Sequence, residues 1–571
     1  MLAARFGRQA GPGLDPCAVL ATALRLGPGE SAECVFYLGQ AATSEAAQVE
    51  ARHALATNAA QRELAVREHW DDLLGAVTVH TPDRLFDGLV NHWLLYQTVA
   101  CRMWARAGFL PGGWAYGYRD QLQDAMALAT TAPGLLRRQL LLAASRQFAQ
   151  GDVQHWWHPP TGAGVRTHMS DDLLWLPCAT VHHIRVSGDD AVLDELLPFV
   201  EGDAVPPDRE DAYFAPQIGT QWVSLYEHCA RAVDHSLAVG AHGLPLMGTG
   251  DWNDGMNRVG HGGRGESVWL GFFLCRLVDD FAPIADARGD RERARRWRAA
   301  AEGWQAALRG PAWDGEWFAR AFFDDGSPLG SHANTECRID LIAQAWSVLS
   351  GVATPDQQRQ AMASAARLLG DESNGLVRLL DPPLAHAEPS AGYIQAYPPG
   401  VRENGGQYNH AAVWALMAQV ALGQGDAAWE TFTRLSPAHR AAHPVRGPAY
   451  GLEPYAMAAD VYTQPPYVGR GGWSWYTGSA GWLHRAAIES ICGMQLRGGS
   501  ICFTPCLPSH WPMLSLRLKR EDRVHEFVLC AAASTADIAR AKASGASVLL
   551  VGAWLQLALA GSASRHLVVV P

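Results

Sequence analysis

About a dozen segments with apolar residues at helical spacing fill the stretch from about residue 81 to residue 490. The first starts at the Thr-Pro-Asp sequence of residues 81–83, typical of a helix start, and continues with Phe86 and Leu89 on one face. Loops rich in Gly, Pro, Trp and His join these segments. This pattern favours an α/α barrel, in which an outer ring of helices wraps an inner one. An α-solenoid is the alternative, but the sequence has no fixed repeat period. The other predicted helices span 120–131, 133–149, 171–186, 189–200, 219–238, 266–287, 290–308, 337–351, 355–369, 409–423, 425–435 and 478–491.

The two ends of the chain have the pattern of β-structure. Residues 18–38 alternate apolar and polar positions around the turn sequence GPGE, which predicts a hairpin. A lone hairpin is not a stable domain, so we expect the chain to carry the last strands of a β-domain here. Residues 43–75, rich in Ala, Glu, Gln and Arg, predict linker helices. After about residue 491, short apolar runs predict a small β-rich cap with an Ala-rich helix near 534–543.

Composition and charge exclude several classes of protein. The chain has 571 residues and a formal net charge of -11, so nucleic acid is not expected as a partner. Its 11 cysteines are scattered without a CxxC pair, which favours reduced thiols over disulfides or zinc. The N-terminus has no apolar signal core, and the apolar run 546–563 contains Gly and Gln and predicts strands rather than a membrane span. We expect a cytoplasmic protein, and a tether to the inner membrane through a missing N-terminal region stays open.

The loop from Gly248 to Gly260, GTGDWNDGMNRVG, has too many polar side chains to be buried without specific partners. Trp252 offers a flat apolar face for a sugar ring, and Asp251 and Asp254 offer acid groups for hydroxyls or for proton transfer. A surface turn or a calcium-like loop is the alternative. The 22 tryptophans of the chain fit carbohydrate handling and a Trp-rich helical core equally well.

Two loops before this one also carry polar clusters. Arg119 and Asp120 stand at a loop-to-helix junction, where Asp120 either caps the helix or accepts hydrogen bonds from sugar hydroxyls. The segment 155–172 contains HWWHPP and then RTHMSDD. Its spacings do not match a compact ligand set, so we predict no metal, and an acceptor-side sugar surface is the competing interpretation.

Two loops after it favour an anion site. Arg402, Glu403 and His410 surround a Gly pair in PPGVRENGGQYNH, and a structural turn is the alternative. The sequence YTGS at 476–479 leads into a helix, whose first N–H groups and nearby hydroxyls can hold an anion. An aromatic core with a helix cap is the alternative there. The chain has no GxSxG elbow, Walker loop or plausible dinucleotide fingerprint, which excludes nucleophilic serine and nucleotide-driven chemistry.

Five motifs together resemble those of the glycoside phosphorylases of glycoside hydrolase family 94: YGYRDQLQD, RTHMSDDLLWLP, GTGDWNDGMNRVG with GESVWLG, VRENGGQYNH and GGWSWYTGSAGW. The amino-acid sequences of these motifs are most similar to those in the phosphorylase-like region of cyclic β-1,2-glucan synthases and in 1,2-β-oligoglucan phosphorylases. The motifs occur in the family's order, and the resemblance covers about residues 18–571. It implies a mainly α fold, with an (α/α)6 barrel and β-rich flanks. The implied domains are 1–42 as the C-terminal remnant of a β-sandwich, 43–80 as linker helices, 81–490 as the catalytic barrel and 491–571 as a jelly-roll-like cap.

The resemblance also implies inverting phosphorolysis of a β-glucoside, a hexosyl transfer to phosphate. Phosphate is already an anion, so this chemistry needs one acid carboxylate and an anion pocket, with no base and no cofactor. The general acid must carry a proton when it acts. We expect either burial or a neighbouring carboxylate, Asp251 or Glu403, to keep it protonated. The implied roles are general acid for Asp254; sugar binding for Arg119, Asp120, Trp252, Arg402 and Glu403; and phosphate binding for His410, Thr477 and Gly478.

Two departures from the family pattern concern these sites. Trp114 stands where the cellobiose enzymes have an Arg, and Ala458 or Ala459 stands where they have a phosphate-site Gln. Two rival functions stay open: an inverting hydrolase with Glu403 as base, and a non-catalytic glucan-binding or length-control module of a cyclic β-1,2-glucan synthase. The expected partners are a β-linked gluco-oligosaccharide, probed first with the β-1,2 linkage, and phosphate. A homodimer and membership of a larger membrane-bound synthase stay open.

Overall fold

The computed structural model describes Gly11, Gly13 and residues 19–104, 115–206, 208–521, 523–557 and 564–570. The chain divides into two compact units, residues 1–71 and 72–571. The α-helices are α1 Ser44–Ala56, α2 Ala59–Leu74, α3 Arg84–Gly88, α4 Leu94–Gln97, α5 Tyr118–Met126, α6 Pro133–Ala144, α7 Trp175–Ser187, α8 Leu225–His235, α9 Val268–Ala287, α10 Arg291–Arg309, α11 Leu341–Leu349, α12 Pro355–Leu369, α13 Asn409–Ala421, α14 Gly425–Leu435, α15 Pro437–Ala442, α16 Arg446–Tyr450, α17 Ser479–Arg485 and α18 Thr535–Ala543.

Six helices of the second unit close into an inner ring in the order α5, α7, α9, α11, α13 and α17, with α17 packing back against α5. Helices α6, α8, α10, α12 and α14 pack outside this ring, and α4 packs against α17. The predicted α/α barrel of six helix pairs is therefore confirmed. Side chains at the helix starts satisfy the first N–H groups, as Ser267 does for Leu270 and Asp340 does for Ile342.

Tryptophan contributes heavily to the core between the two rings. Trp175, Trp269 and Trp414 lie in the inner ring and are fully buried, and Trp297 and Trp304 are buried on the outer helix α10. Burying rings of this size removes a large apolar area from water. Much of the high tryptophan content is thus explained by the helical core rather than by sugar contact.

Short strands flank the barrel: β1 Val77–His80, β2 Tyr116–Gly117, β3 Gln154–His158, β4 Ala163–Thr167, β5 Leu196–Glu201, β6 Asp211–Phe214, β7 Gln217–Ser224, β8 Glu266–Ser267, β9 Ala321–Phe322, β10 Pro328–Leu329, β11 Ile339–Asp340, β12 Gly370–Asp371, β13 Leu376–Val377, β14 Leu380–Asp381, β15 Gln407–Tyr408, β16 Asp460–Val461, β17 Met494–Arg497, β18 Ser500–Phe503, β19 Met513–Arg520, β20 Arg523–Ala531, β21 Ser547–Leu550, β22 Leu555–Gln556 and β23 Ser564–Val570. The C-terminal cap holds a five-stranded sheet in the order β1-β19-β20-β23-β21 and a three-stranded sheet in the order β17-β18-β22.

Strand β1 joins the first residues after α2 to the C-terminal cap. Val77 pairs with Leu518 and Val79 pairs with Leu516 in antiparallel register, and both valines are buried. Residues 77–80 fall in the stretch that we expected to be linker helix. Three consecutive β-branched residues, Val77 to Val79, favour a strand there, and this strand pairs with the edge of β19.

Three local predictions are wrong. The described residues 19–42 contain a turn at 28–29 and no strand, and their apolar side chains are exposed, because a two-stranded hairpin without a further covering layer is marginal. The predicted helix 189–200 ends in β5, and the predicted helix 219–238 begins in β7. These two strands pair with each other in a surface ribbon that leaves Trp222 60% exposed, so this Trp is not on the buried face of α8.

No helix in the described part of the chain is both long enough and apolar enough to cross a membrane. The apolar run 546–563, predicted as strands, holds β21 and β22 in its described residues.

Candidate active site

Polar side chains meet at the end of the barrel where the inner helices begin. Asp120 lies in the first turn of α5, His410 in the first turn of α13, and Gly478 immediately before α17. The loop 248–260 precedes α9, whose cap Ser267 donates to Asp251 at 2.6 Å. The folding of the ring therefore collects motifs that are hundreds of residues apart in sequence.

Asp254 opens a short 3₁₀ turn and its side chain is 35% exposed. Arg119 donates from Nη2 to Asp254 Oδ1 at 2.7 Å, and from Nη1 to Asp171 Oδ1 at 3.1 Å. Burial lowers the pKa of Arg119, but Asp171 and Asp254 outweigh it and raise that pKa well above its ordinary value. Arg119 is therefore a permanent cation against Asp254. The Asp254 carboxyl is thus partly exposed rather than buried, and it is paired with a cation.

Asp251 has a different role from Asp254. Arg320 binds it through two hydrogen bonds, of 2.7 Å to Oδ2 and 2.5 Å to Oδ1, and both side chains are fully buried. Arg320 also donates to Asn253 Oδ1 at 3.0 Å. Asp251 therefore anchors the loop to the barrel, and it is not the neighbour that we expected to keep Asp254 protonated.

Asp120 does not cap its helix, because the cap residue of α5 is Gly117, which makes no side-chain bond. Its side chain is 44% exposed and lies 3.5 Å from Arg102 Nη2. Burial raises the pKa of Asp120, but Arg102 and Arg119 outweigh it and hold the pKa below its ordinary value. The carboxylate is thus charged and available to accept hydrogen bonds.

Arg102 is a second buried cation of the site. Its Nε donates to Asp124 Oδ2 at 2.6 Å, and its guanidinium lies 4.2 Å from the centre of the Tyr476 ring. Burial raises the pKa of Asp124 to about 6 even though Arg102 opposes the shift. Among the residues that the structure describes, Asp124 Oδ1 has no hydrogen-bond partner.

Trp252 lies at the site but is only 7% exposed. Its ring packs edge-on against His410 and Tyr408, at 5.0 and 5.5 Å between centres, and at 4.8 Å from Trp414. So little free surface leaves a small part of the ring for contact with a sugar. Trp252 therefore packs mainly within an aromatic cluster, and its role as a sugar wall stays a prediction.

Arg402 and Glu403 form a pair on a strained turn. Arg402 has a φ of +53°, unusual for a residue with a side chain, and its backbone N–H donates to Asp460 Oδ2 at 2.7 Å. Its guanidinium lies between Tyr397 and Trp473, 4.5 Å from each ring centre, and Nε is 3.3 Å from Glu403 Oε2. Burial raises the pKa of Glu403, and the charge of Asp254 adds to the shift while Arg402 opposes it.

His410, Thr477 and Gly478 lie together on the other side of the site. A side chain at Gly478 would place its first carbon 3.2 Å from Asp124 Oδ1 and 3.3 Å from His410 Nδ1, so the backbone of Gly478 lies close to both side chains. Thr477 Oγ1 is 2.9 Å from Ser479 Oγ and accepts from the N–H of Ser479. Burial lowers the pKa of His410 to about 3, so its ring is neutral at pH 7. Within the described residues, His410 Nε2 has no hydrogen-bond partner.

A further histidine stands beside Asp254. His155 Nδ1 is 2.6 Å from Asp172 Oδ2, and His155 Nε2 is 3.8 Å from Asp254 Oδ2. Burial lowers the pKa of His155, but Asp172 and Asp254 outweigh it and raise the pKa to about 9. The histidine is therefore a cation at neutral pH, placed between two carboxylates.

Sequence reasoning singled out the cluster that contains His155 and Asp172 without giving either residue a role beside Asp254, and it missed Arg102 and Arg320. Arg102 had a usable signal, because a lone charge within the apolar stretch TVACRM is costly to bury without a partner. Arg320 had none, since its partner Asp251 is 69 positions away.

The two departures from the family pattern concern Trp114 and the pair Ala458 and Ala459, and the structure describes only the second. Trp114 lies outside the described residues. Ala458 borders the Thr477 turn, because its carbonyl accepts hydrogen bonds from Ser479 Oγ at 3.2 Å and from Asn409 Nδ2 at 2.8 Å. In the described part of the chain, no group of three His, Cys, Asp or Glu side chains could hold a metal ion.

The structure thus has paired helical rings with carboxylate and cationic side chains gathered at one end. A GH78 family rhamnosidase of Bacillus sp. GL1 shares the fold, with a TM-score of 0.52 and 11% identity over 86% of this chain and 44% of that one. The model of the glycosyl hydrolase 94 superfamily catalytic domain matches residues 69–493, and that of the family's supersandwich domain matches residues 1–55. The chain belongs to the glycosyl hydrolase 94 superfamily.

Two relatives illustrate the range of the family. The chain is 45% identical to the cyclic beta-(1,2)-glucan synthase NdvB of Rhizobium meliloti over 90% of its own length and 18% of the synthase. It is 30% identical to the solabiose phosphorylase of Paenibacillus borealis over 88% of its length and 62% of that enzyme. The chain thus spans less than two thirds of each of these relatives.

Proposed function

We propose that the chain catalyses inverting phosphorolysis of β-glucosides, with β-1,2-gluco-oligosaccharides as substrate and α-glucose 1-phosphate as product. The observation that carries this proposal is that one end of the barrel holds both the partly exposed carboxyl of Asp254 and a group of hydrogen-bond donors around His410. Phosphorolysis needs one acid and a phosphate site, whereas inverting hydrolysis needs a second carboxylate as base. Glu403 is paired with Arg402, with Oε2 3.3 Å from Nε, and a neighbouring cation weakens a carboxylate as a base.

The groups around His410 suit phosphate. His410 is neutral, and its Nε2 has no partner in the described structure, so it can donate one hydrogen bond to an oxyanion. The Thr477 hydroxyl and the N–H of Gly478 add neutral donors, and Arg102 adds a buried positive charge that also acts on His410. No cofactor has a role in this scheme.

In the proposed reaction Asp254 gives its proton to the glycosidic oxygen as the bond from that oxygen to C1 breaks. A phosphate oxygen attacks C1 from the opposite face, so the β-glucoside yields an α-phosphate. Asp254 ends as a carboxylate that Arg119 stabilises, through the 2.7 Å contact to Oδ1. Asp120 and the Arg402–Glu403 pair hold the hydroxyls of the donor glucose by charge-assisted hydrogen bonds.

The linkage is the finer part of the proposal. The 45% identity to a cyclic beta-(1,2)-glucan synthase supports a β-1,2-linked substrate. The same relative, of which the chain covers 18%, supports a further proposal, that the chain acts as part of a larger synthase.

The test is incubation with β-1,2-gluco-oligosaccharides, with and without inorganic phosphate. We expect glucose 1-phosphate to form only with phosphate, and cellobiose to react at least about tenfold more slowly, the cost of misplacing a single sugar hydroxyl. Release of free glucose at a rate independent of phosphate would favour the hydrolase. Glucan binding without any product would favour a non-catalytic module.

A further inference from the structure

His155 is held in an unusual backbone setting. Strands β3 and β4 pair Gln154 with Arg166 and Trp156 with Val165, so the register shifts at His155 and leaves it as the extra residue of a β-bulge. A bulge re-aims the side chain of its extra residue and is common beside active sites. Here the side chain is 17% exposed and lies between Asp172 and Asp254.

The surroundings of His155 fix which ring nitrogen can exchange a proton. Nδ1 is committed to Asp172 at 2.6 Å, and Asp172 is itself buried. Nε2 is 3.8 Å from Asp254 Oδ2, while Asp254 Oδ1 is bound by Arg119. The charged groups that act on His155 include the carboxylates of Asp172, Asp254 and Asp120, which favour its protonation, and Arg119, which opposes it.

This geometry answers a difficulty in the proposed reaction. Asp254 must deliver a proton, yet its side chain is partly exposed and its Oδ1 is bound by the guanidinium of Arg119 at 2.7 Å. A general acid in that condition needs a nearby group that holds the proton until it is used.

We propose that His155 holds the proton that Asp254 delivers to the glycosidic oxygen, and that Asp172 fixes His155 in the orientation for this transfer. The inference rests on the proposed function. His155 is a positioning and proton-holding residue, since it acts through Asp254 rather than on the sugar.

The proton balance is simple. When substrate and phosphate are bound, the Nε2–H bond of the His155 imidazolium breaks and an O–H bond forms on Asp254 Oδ2. That proton passes to the glycosidic oxygen as the C1–O bond breaks and the bond from C1 to phosphate forms. His155 is then a neutral imidazole, and it regains a proton from water before the next turnover.

The first test is the pH dependence of kcat for wild type, His155→Gln and Asp172→Asn. In wild type we expect activity to fall as pH rises through the pKa of His155, about 9. Loss of the Asp172 charge should lower that pKa, so the alkaline limb of Asp172→Asn should move down by about one pH unit or more. His155→Gln should lower kcat at least about tenfold and abolish this limb, with little change in KM for the glucan.

A matched control is available on the surface. His332 Nδ1 is 2.6 Å from Asp314 Oδ2, a His–Asp pair of the same geometry on an exposed loop. His332→Gln should leave the whole pH profile unchanged. Melting temperatures of all the variants identify any that lose activity through unfolding.

The second test does not depend on turnover. The ring signal of His155, assigned by its loss in His155→Gln, is titrated by NMR in wild type and in Asp254→Asn. We expect its pKa to fall in Asp254→Asn because an attracting carboxylate is removed. An unchanged titration contradicts the inference whatever the activity.

The outcomes separate the two proposals. A wild type that forms no sugar phosphate at any pH contradicts the proposed function, and the inference falls with it. An active wild type whose alkaline limb is unmoved by Asp172→Asn contradicts the inference alone.

Discussion

Asp251 and Asp254 stand three positions apart in one loop, yet their carboxylates meet different neighbours. Asp251 is fully buried against Arg320, while Asp254 is partly exposed between Arg119 and His155. A carboxylate that is buried in an ion pair contributes to the stability of the fold, whereas a solvent-accessible carboxyl can exchange protons. The sequence offered both residues as acid groups, and their different partners in the structure distinguish them.

Asp254→Asn tests the catalytic half of this division. The amide cannot donate an acid proton, so kcat for phosphorolysis should fall about 10²- to 10⁴-fold. The melting temperature should stay close to that of wild type. Asp325, an exposed turn residue bound to Ser327, provides the control, and Asp325→Asn should keep full activity. Unreduced activity in Asp254→Asn would remove it from the role of acid.

Asp251→Asn tests the structural half. It leaves the guanidinium of Arg320 buried without its main charged partner, so the free energy of unfolding should fall by about 3–5 kcal/mol. Urea denaturation of both Asn variants measures the difference. Equal stability of Asp251→Asn and Asp254→Asn would contradict the assignment.

At the scale of elements, the candidate site lies where the inner helices begin. Sequence patterns could predict most of these helix starts. The boundaries of α12, α13 and α14 fall within about two residues of the predicted ones, since apolar spacing and capping residues are local signals. The ribbon of β5 and β7 could not be found, because Trp222 fits a helical face in sequence and is exposed only through strand pairing. The bulge at His155 also depends on a partner strand.

The glycine at the start of the acid loop has a positional requirement. Gly248 has a φ of +61°, and a side chain there would place its first carbon 2.0 Å from the carbonyl oxygen of His168. We expect Gly248→Ala to displace the loop, lowering kcat and destabilising the fold by more than the roughly 1–3 kcal/mol of backbone strain.

Gly263→Ala is the matched control for this loop. Its φ is +77°, but nothing lies within 4 Å of the added carbon, so it carries the backbone strain without the collision. Kinetics and melting curves of the two variants separate these effects. If Gly263→Ala lost as much activity as Gly248→Ala, the collision would not be the cause.

At the scale of the whole molecule, the closed ring of six inner helices brings the proposed acid and the proposed phosphate-binding groups to one end. The proposed acid Asp254 comes from the loop before α9, while the proposed phosphate-binding groups come from α13 and the turn before α17. The two sets of residues come from distant parts of the ring. Substitutions around His410 should therefore change KM for phosphate more than KM for the glucan.

His410→Gln tests that separation. It removes the buried ring nitrogen without a partner in the described structure, so KM for phosphate should rise at least about tenfold, the effect of one lost hydrogen bond to a charged group. KM for the glucan should change much less. Equal changes in both constants would place His410 outside the phosphate pocket.

Metal removal should have no effect. Within the described residues no three His, Cys, Asp or Glu side chains are arranged to bind a metal ion, and the proposed reaction uses none. Activity after dialysis against EDTA should equal that of untreated protein. A loss that zinc or magnesium restores would require a metal-dependent mechanism.

The most direct test of the account is the anomeric form of the first product, followed by NMR during reaction of β-1,2-gluco-oligosaccharides with phosphate. Attack by phosphate opposite the bond that Asp254 protonates predicts α-glucose 1-phosphate from the first time point. Formation of β-glucose 1-phosphate, or of free glucose without sugar phosphate, would contradict it.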